Sequence, residues 1–292
     1  MDARGTVITL TPRAPGKPRT LSGTAARLCF GLWIGPAMIG CVGDGDFHSN
    51  AKDAFGRTYY IDGAGNWGFG VGSVYSGLVK AGYKGNIINF RWSPTFNPAL
   101  DQTIGRPAAR LKGAELGQQI TRYLERYPDV TVNIIALSAG TGVAVWACEN
   151  VERPAEVYSV IMLGSSLSSD YDMTKALPHV TTGVFVYHSR HDMILQGPVR
   201  SLGTIDGKMG GHAAGIVGLR PRRGSDGKIF NTRWSPRYER LGWTGSHTDA
   251  TSEPFVRYEL ARHILSPHTD AATAAHQVAT RPAPPATAPA GE

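Results

Sequence analysis

The fold is decided by the stretch Val132-Asn133-Ile134-Ile135-Ala136-Leu137-Ser138-Ala139-Gly140-Thr141-Gly142. Its first six residues predict a buried strand, and the small residues that follow predict a helix start. A chain that turns this sharply strains the backbone at the serine, and only tiny side chains fit two positions before and after it. Ala136 and Gly140 meet that requirement. We therefore expect Ser138 to stand clear of the sheet, with the helix N-terminus directed at any anion formed there.

Strand and helix patterns alternate on both sides of this stretch. Further strands are predicted at 58–61, 86–90, 157–163, 183–187 and within 237–243. Helices are predicted at 74–81, 106–127 and about 253–265. The alternation predicts an α/β fold with a mostly parallel central sheet, helices on both faces and, because the intervening segments are short, no large cap domain. A long Gly-rich loop over roughly 196–232 could form a small lid.

Two of the predicted helices have apolar residues at helical spacing. In 106–127 these residues are Leu111, Ala114, Leu116, Ile120 and Leu124. In 253–265 they are Phe255, Tyr258, Leu260 and Ile264. We expect both sets to face the core.

The charge of the chain is uneven. The 292 residues carry a net charge of +7, and residues 1–40 account for +4 of it. The remainder has 25 basic and 22 acidic residues and no basic stripe with interleaved aromatic residues. A nucleic-acid partner is therefore not expected.

The N-terminal segment is typical of an export signal. Basic residues precede the apolar stretch 28–40, which Gly residues and Pro36 interrupt and which is shorter than the roughly 20 residues of a membrane span. The sequence Met38-Ile39-Gly40-Cys41 resembles a bacterial lipobox, which implies cleavage before Cys41 and a lipid on that cysteine. We expect a membrane-anchored lipoprotein of the bacterial cell envelope. An ordinary signal peptide or a short anchor, giving a periplasmic or secreted protein, is the alternative.

The remaining composition predicts the domain organisation. Residues 1–40 are the predicted signal peptide, 41–56 a polar tether, 57–268 the folded domain and 269–292 a disordered Ala/Pro-rich tail. Three cysteines make no disulfide framework. Cys148 is expected to be a small core residue.

Two further polar residues follow later strands of the predicted sheet. Asp192 comes after the strand that ends at Tyr187, and His247 lies just before the last predicted helix. This order of serine, acid and histidine, each after its own strand, resembles the α/β-hydrolase family over roughly residues 57–266. The chain departs from the commonest form of the family motif at Ala136, where glycine is usual.

The resemblance implies catalytic roles for these residues. His247 would accept the proton of the Ser138 hydroxyl and deliver it to the leaving group, while Asp192 would fix the imidazole tautomer. The N–H groups of Ala139 and Ala64 would form the oxyanion hole, with Asp62 fixing the loop around Ala64. Substrate contacts are expected from Trp67, Gly65 and His212. Trp243, close to His247 in sequence, is a further hypothetical lining residue of the acyl pocket.

Each of these residues also has a plainer interpretation. Ser138 could simply cap a helix, and Asp192 could cap a helix or pair with a neighbouring arginine. Asp170 and Asp172 compete with Asp192 as the acid, and His212 competes with His247 as the base. We expect no metal, because His188, His191, Asp192 and His247 lack a known ligand spacing. Gly63-x-Gly65-x-x-Gly68 superficially resembles a dinucleotide motif, but no acidic residue follows at the expected distance, so no cofactor is predicted.

Together these observations predict an exported serine hydrolase acting on a small-molecule or lipid ester through an acyl-enzyme on Ser138. One alternative retains the same triad in an acyltransferase or thioesterase. A second is a non-catalytic cell-envelope binding protein on a hydrolase fold. The sequence says nothing of the oligomeric state.

Overall fold

The computed structural model describes residues 49–220 and 226–265, and its centre is a six-stranded sheet. The strands are β1 (Arg57–Ile61), β2 (Asn86–Asn89), β3 (Val132–Leu137), β4 (Val157–Leu163), β5 (Val180–His188) and β6 (Ile229–Arg233). Their order is β2-β1-β3-β4-β5-β6, and every neighbouring pair is parallel. The predicted α/β class and parallel sheet are confirmed.

Helices cover both faces of this sheet. The α-helices are α1 (Val71–Lys80), α2 (Pro98–Gln102), α3 (Arg106–Arg126), α4 (Gly140–Cys148), α5 (Arg200–Leu202), α6 (Ala214–Val217) and α7 (Glu253–Phe255). Shorter 3-10 segments lie at Asn50–Phe55, Leu177–His179, Asp226–Lys228, Pro236–Leu241, Asp249–Thr251 and Ala261–His263, and π-helical turns at Leu195–Val199 and Val256–Leu260. Helices α3 and α4 pack on one face of the sheet, while α1 and the segment from 253 to 264 pack on the other.

The strands divide their side chains between two cores. In β3, Ile134 and Ala136 face the α3 and α4 side, whereas Ile135 and Leu137 face the α1 side. Alternate residues of a strand point to opposite faces, so a strand covered on both sides is apolar at most positions. All six residues of β3 are buried for this reason. The polar exception in β3 is Asn133, whose Oδ1 accepts a hydrogen bond from Ser159 Oγ at 2.8 Å.

The last strand and the Gly-rich loop differ from the sequence predictions. The expected strand within 237–243 is wrong: Pro236–Leu241 forms a 3-10 helix, and the last strand is β6. As an edge strand β6 is mostly exposed, which hides its pattern in the sequence. The loop 196–232 therefore ends in the sheet, and it contributes Ile205, Ala214 and Leu219 to the core. A lid over this whole range is wrong, because these apolar side chains hold its described parts against the domain.

Two apolar residues of the predicted helix faces are exposed. Leu111 has 73% of its surface exposed and Tyr258 60%. Leu111 lies two residues from the buried Ala109, which is about 200° around the helix. Tyr258 is likewise two residues from both Val256 and Leu260. Three predicted core positions of α3 do face the core, namely Leu116, Ile120 and Leu124.

The folded part begins earlier than expected. Residues 49–56 are structured rather than part of a tether: Ser49 N–H donates to Asn86 Oδ1 at 3.0 Å, and Tyr123 Oη donates to the Asp53 carbonyl at 2.6 Å. These contacts use backbone and polar groups, which a composition-based boundary does not detect.

Cys148 is buried, as predicted. The predicted signal peptide 1–40, Cys41 and the predicted tail 269–292 lie outside the described residues. Within the described residues no helix is long and apolar enough to cross a membrane.

Candidate active site

Ser138 occupies a strained turn at the carboxyl end of β3. Its φ is +52°, a left-handed conformation that a non-glycine residue rarely adopts. Hydrogen bonds hold the backbone there: Ser138 N–H donates to the Leu163 carbonyl at 2.9 Å, and the Ser138 carbonyl accepts from Thr141 Oγ1 at 2.6 Å and Ser166 N–H at 3.2 Å. Positive φ at a serine between strand and helix is the geometry that presents a nucleophile at a sheet edge.

The small residues around Ser138 are required by close packing against β1. A Cβ at Gly140 would lie 2.5 Å from the Asp62 carbonyl oxygen and 2.6 Å from that of Ile61. Such distances do not occur for real Cβ atoms, so α4 can start beside β1 only with glycine there. Ala136 is fully buried, and its methyl group fits where the usual glycine would stand.

Asp192 and His247 form a hydrogen-bonded pair. Asp192 Oδ2 lies 2.7 Å from His247 Nδ1, and the carboxylate is almost completely buried while the imidazole is 13% exposed. The other oxygen, Oδ1, accepts from Leu195 N–H at 3.0 Å. Asp192 therefore does cap the helical segment that follows it, and it orients the imidazole with its second oxygen.

Strand register brings this pair and the serine to the same edge of the sheet. Leu137, Leu163 and Tyr187 are aligned across β3, β4 and β5. Gly164 comes directly after Leu163, the last residue of β4, and a Cβ there would lie 3.2 Å from both Asp192 Oδ2 and His247 Nδ1. Within the described residues no hydrogen bond joins Ser138 Oγ to His247, a contact that in free enzymes is often long and tightens with substrate.

The loop after β1 is tied down by the Asp62 carboxylate, as predicted for this residue. Asp62 Oδ1 accepts from Gly63 N–H at 2.8 Å, and Oδ2 accepts from Gly68 N–H at 2.6 Å and Phe69 N–H at 3.1 Å. Burial raises the pKa of Asp62, and these backbone donors oppose the rise. The loop approaches the serine closely, since a Cβ at Gly63 would lie 3.1 Å from Ser138 Cβ.

Two backbone N–H groups near Ser138 are without a protein acceptor. Gly63 N–H is bound by Asp62, and Gly65 N–H is bound by Asp101 Oδ2 at 2.7 Å. The N–H of Ala64 between them, and that of Ala139 after Ser138, have no acceptor among the described residues. Backbone donors without a protein acceptor are what a developing oxyanion requires.

The predicted substrate residues lie at different places around this edge. Trp67 is 60% exposed, and its indole Nε1 donates to the Phe96 carbonyl at 3.0 Å. His212 is exposed on the loop before α6. Trp243 is only 2% exposed and packs against Tyr187, Tyr238 and Phe255 in the core, so it does not line a pocket.

The competing acids contact other groups. Asp170 is half exposed and forms an ion pair with Lys208. Asp172 Oδ1 accepts from Thr174 N–H at 3.1 Å within its own turn.

His188 is bonded through Nδ1 to the Ile216 carbonyl at 3.2 Å, and burial lowers its pKa, which favours a neutral ring in the fold. No group of three or more His, Cys, Asp or Glu side chains suited to a metal occurs in the described ranges.

Two residues of this site carry no signal in the sequence. Asp101, on the short helix α2, and Gly164, in the turn after β4, are close to candidate site residues, but their partners Gly65 and Asp192 are 36 and 28 residues away in the chain. Asp101 is fully buried although it is charged. An acidic residue in the short helix after Asn97 carried no local signal of that burial.

Comparisons with known proteins give only distant likenesses. No family model and no curated protein matches the sequence. Among solved structures, the chain is similar to a crystal structure of Aspergillus fumigatus lipase B, with 12% identity and a TM-score of 0.42 over 74% of this chain and 52% of the lipase. It is also similar to a crystal structure of esterase PE8, with 13% identity and a TM-score of 0.37 over 76% of this chain and 92% of that one. The chain thus spans about half the length of the lipase, and likenesses this distant carry no information on activity.

Proposed function

We propose that the protein is an ester hydrolase that works through a covalent acyl-enzyme on Ser138. The observation that supports this most is the buried Asp192 carboxylate bonded to His247 Nδ1 at 2.7 Å, in the row of strand ends that also holds Ser138. A carboxylate on one imidazole nitrogen leaves the other free to accept a proton. A strained serine and an oriented imidazole at one sheet edge are the two parts that nucleophilic catalysis needs.

The proposed reaction begins with proton transfer from Ser138 Oγ to His247 Nε2. The serine oxygen then forms a bond to the ester carbonyl carbon, and the electron pair moves to the carbonyl oxygen. Collapse of this intermediate breaks the bond to the alcohol, which leaves with the proton from His247. A water molecule repeats the sequence on the acyl-enzyme and releases the acid.

The oxyanion would be held by the N–H groups of Ala64 and Ala139. Both groups are without an acceptor among the described residues, so neither has to break a protein hydrogen bond to bind substrate. Preorganised donors of this kind are worth about 2.7–4 kcal/mol each in the transition state.

Three exposed aromatic residues after strands β1 and β2 would offer an apolar surface to an acyl group. Trp67, Phe69 and Phe96 are 60%, 49% and 62% exposed, and all three follow the carboxyl ends of β1 and β2. Exposed aromatic residues close together favour contact with an apolar ligand. The proposed substrate is therefore a small-molecule or lipid ester.

The test replaces the nucleophile. We expect Ser138→Ala to abolish hydrolysis of a short p-nitrophenyl ester and labelling by a fluorophosphonate, without changing the circular dichroism spectrum. A panel of ester, thioester and amide substrates, with and without an alcohol acceptor, separates hydrolysis from acyl transfer. Full activity in the Ser138→Ala protein would show that the nucleophile is another residue.

For localisation, we propose export and lipid attachment at Cys41, with anchoring in the bacterial cell envelope. The support is the sequence pattern of residues 28–41 alone. We expect the full chain, produced in a bacterium, to pellet with membranes and Cys41→Ser to shift to the soluble or uncleaved form. Equal fractionation of both proteins would contradict the lipid anchor.

A further inference from the structure

The carboxylate of Asp101 is a feature that the proposed mechanism does not yet use. It is fully buried on α2, and it is not among the residues that resemble the family motif. Its oxygen Oδ2 accepts from Gly65 N–H at 2.7 Å and from the Ser93 hydroxyl, and Oδ1 accepts from Thr95 Oγ1 at 2.6 Å. A buried carboxylate is costly unless its lone pairs are bonded, so this residue is held for what it binds.

The partner of Asp101 is the turn that carries Ala64. Asn66 N–H donates to the Gly63 carbonyl at 3.1 Å, and Gly65 has a φ of +88°. This is the pattern of a type II turn, with glycine at the third position. Turns of type I and type II differ mainly by rotation of the central peptide, here the one between Ala64 and Gly65.

Asp101 determines which way that central peptide faces. In the observed turn the Gly65 N–H points at the carboxylate. If the peptide flipped, the Ala64 carbonyl oxygen would replace the N–H and would face a negative charge at close range, which is unfavourable. The bond to Asp101 therefore holds the Ala64–Gly65 peptide in one orientation, and this peptide is joined at Ala64 to the one that carries the Ala64 N–H.

The carboxylates of Asp62 and Asp101 bind different backbone N–H groups of the loop after β1. Asp62 binds the N–H groups of Gly63, Gly68 and Phe69, and Asp101 binds that of Gly65. The Ala64 N–H lies between two clamped peptides. Donors to an oxyanion must be fixed before the reaction, because reorienting them during it costs part of their benefit.

We propose that Asp101 is a positioning residue for the oxyanion hole, acting through Gly65 on the Ala64 N–H. This inference rests on the proposed ester hydrolysis. It assigns to Asp101 an effect on the transition state and none on ground-state binding of the ester. A residue that merely supported the fold would instead change the amount of active protein.

The experiment compares Asp101→Ala and Asp101→Asn with the wild type on a p-nitrophenyl ester. Fluorophosphonate titration counts the competent sites, so that kcat is expressed per labelled serine. We expect Asp101→Ala to lower kcat by about tenfold or more, with KM nearly unchanged, since complete loss of one oxyanion donor costs about 10²–10³ in kcat. Asp101→Asn retains an oxygen acceptor for Gly65 N–H and should recover most of the rate. If Asp101→Ala yields no folded protein, Asp101→Ser, too short to reach Gly65, is measured in its place with the same expectation.

The matched control is Asp53→Ala at the opposite edge of the sheet. Asp53 is also a buried carboxylate, bonded to Arg57 Nε at 2.9 Å and Asn86 Nδ2 at 2.6 Å. Its loss should lower the melting temperature but leave kcat per labelled site unchanged. An Asp101→Ala or Asp101→Ser protein with wild-type kcat per labelled site would overturn the role of Asp101 while leaving the proposed function intact. A wild-type protein that neither labels nor hydrolyses any ester would overturn the proposed function itself.

Discussion

At the scale of single residues, the site depends on polar groups that take part in more than one hydrogen bond. Asp192 uses one oxygen to cap the following helix and the other to orient His247. Ser138 has a backbone strain of about 1–3 kcal/mol, and three donors to its carbonyl oxygen hold it in place. The plainer interpretation of Asp192 as a helix cap and the catalytic one are thus compatible, because a carboxylate has four acceptor sites.

The double role of Asp192 leads to a test by amide substitution. Asp192→Asn retains an oxygen that can accept from the Leu195 N–H, but it presents an NH₂ group to His247 Nδ1. This amide donor favours the imidazole tautomer in which Nε2 carries the proton and cannot accept one from Ser138. We expect the protein to fold with near-normal stability and kcat to fall about 10⁴-fold, as is typical when this acid becomes an amide. Ester hydrolysis and urea unfolding measure the two effects.

Asp170→Asn is the control for this substitution. Asp170 is a half-exposed partner of Lys208, and its replacement should leave kcat unchanged. Loss of activity in Asp170→Asn but not in Asp192→Asn would reverse the assignment of the acid.

At the scale of elements, helix α3 shows how burial divides along one surface. Ala109, Gly113, Leu116 and Ile120 lie on the face turned to α4 and the sheet, whereas Leu111 points to solvent. From helical spacing alone, Leu111 and Leu116 were both expected on the buried face. The spacing rule tolerates some scatter, so it accepted Leu111, although this residue lies about 200° around the helix from the buried Ala109.

A pair of leucine substitutions in α3 tests this division. Leu116→Ala removes a fully buried side chain, and we expect it to lower the free energy of unfolding by about 2–5 kcal/mol. Leu111→Ala removes a side chain that is 73% exposed and should change it by less than about 0.5 kcal/mol. Urea titrations of the two proteins give the comparison, and equal effects would contradict the packing described for α3.

At the scale of the whole molecule, a polar cluster joins the C-terminal segment to the sheet. Tyr187 Oη on β5 lies 3.1 Å from Glu259 Oε1 and 3.0 Å from His263 Nε2, and Arg262 donates to Glu259 Oε1 at 2.5 Å. The Phe185 ring stacks on His263. Burial, and to a smaller extent the charge of Arg262, lowers the pKa of His263 to about 4.

This lowered pKa predicts how stability depends on pH. Between pH 6.5 and about 4 the unfolded chain binds a proton at His263 that the folded chain does not, so the free energy of unfolding falls as pH falls through this window. Because the ring is partly exposed, we expect a contribution of about 1 kcal/mol. His263→Gln, which does not titrate, should reduce the slope of unfolding free energy against pH, measured in urea at several pH values. His212→Gln, at an exposed position, is the control, and an unchanged slope in His263→Gln would contradict the prediction.

Much of the fold was predictable because its signals are local. The boundaries of β3 and β4 and the turn at Ser138 follow from apolar runs and small residues within about ten positions. Strand β6 was not predictable, since an edge strand has few buried positions to give it a pattern. The segment expected to be a strand, within 237–243, instead follows Pro236 at the start of a 3-10 helix. The start of the domain at residue 49 depends on contacts with Asn86 and Tyr123, which are far along the chain.

The sequence by itself determined the alternation of strands and helices, the strained serine between small residues, and the chain order of Ser138, Asp192 and His247. These depend on sterics and periodicity within short segments, where each residue constrains its neighbours. Only the tertiary structure decided that Asp192 contacts His247, that Gly164 leaves room beside them, and that Asp101 holds Gly65. Such contacts join segments that follow different strands, and the distance between those segments is determined by the packing of the sheet and its helices.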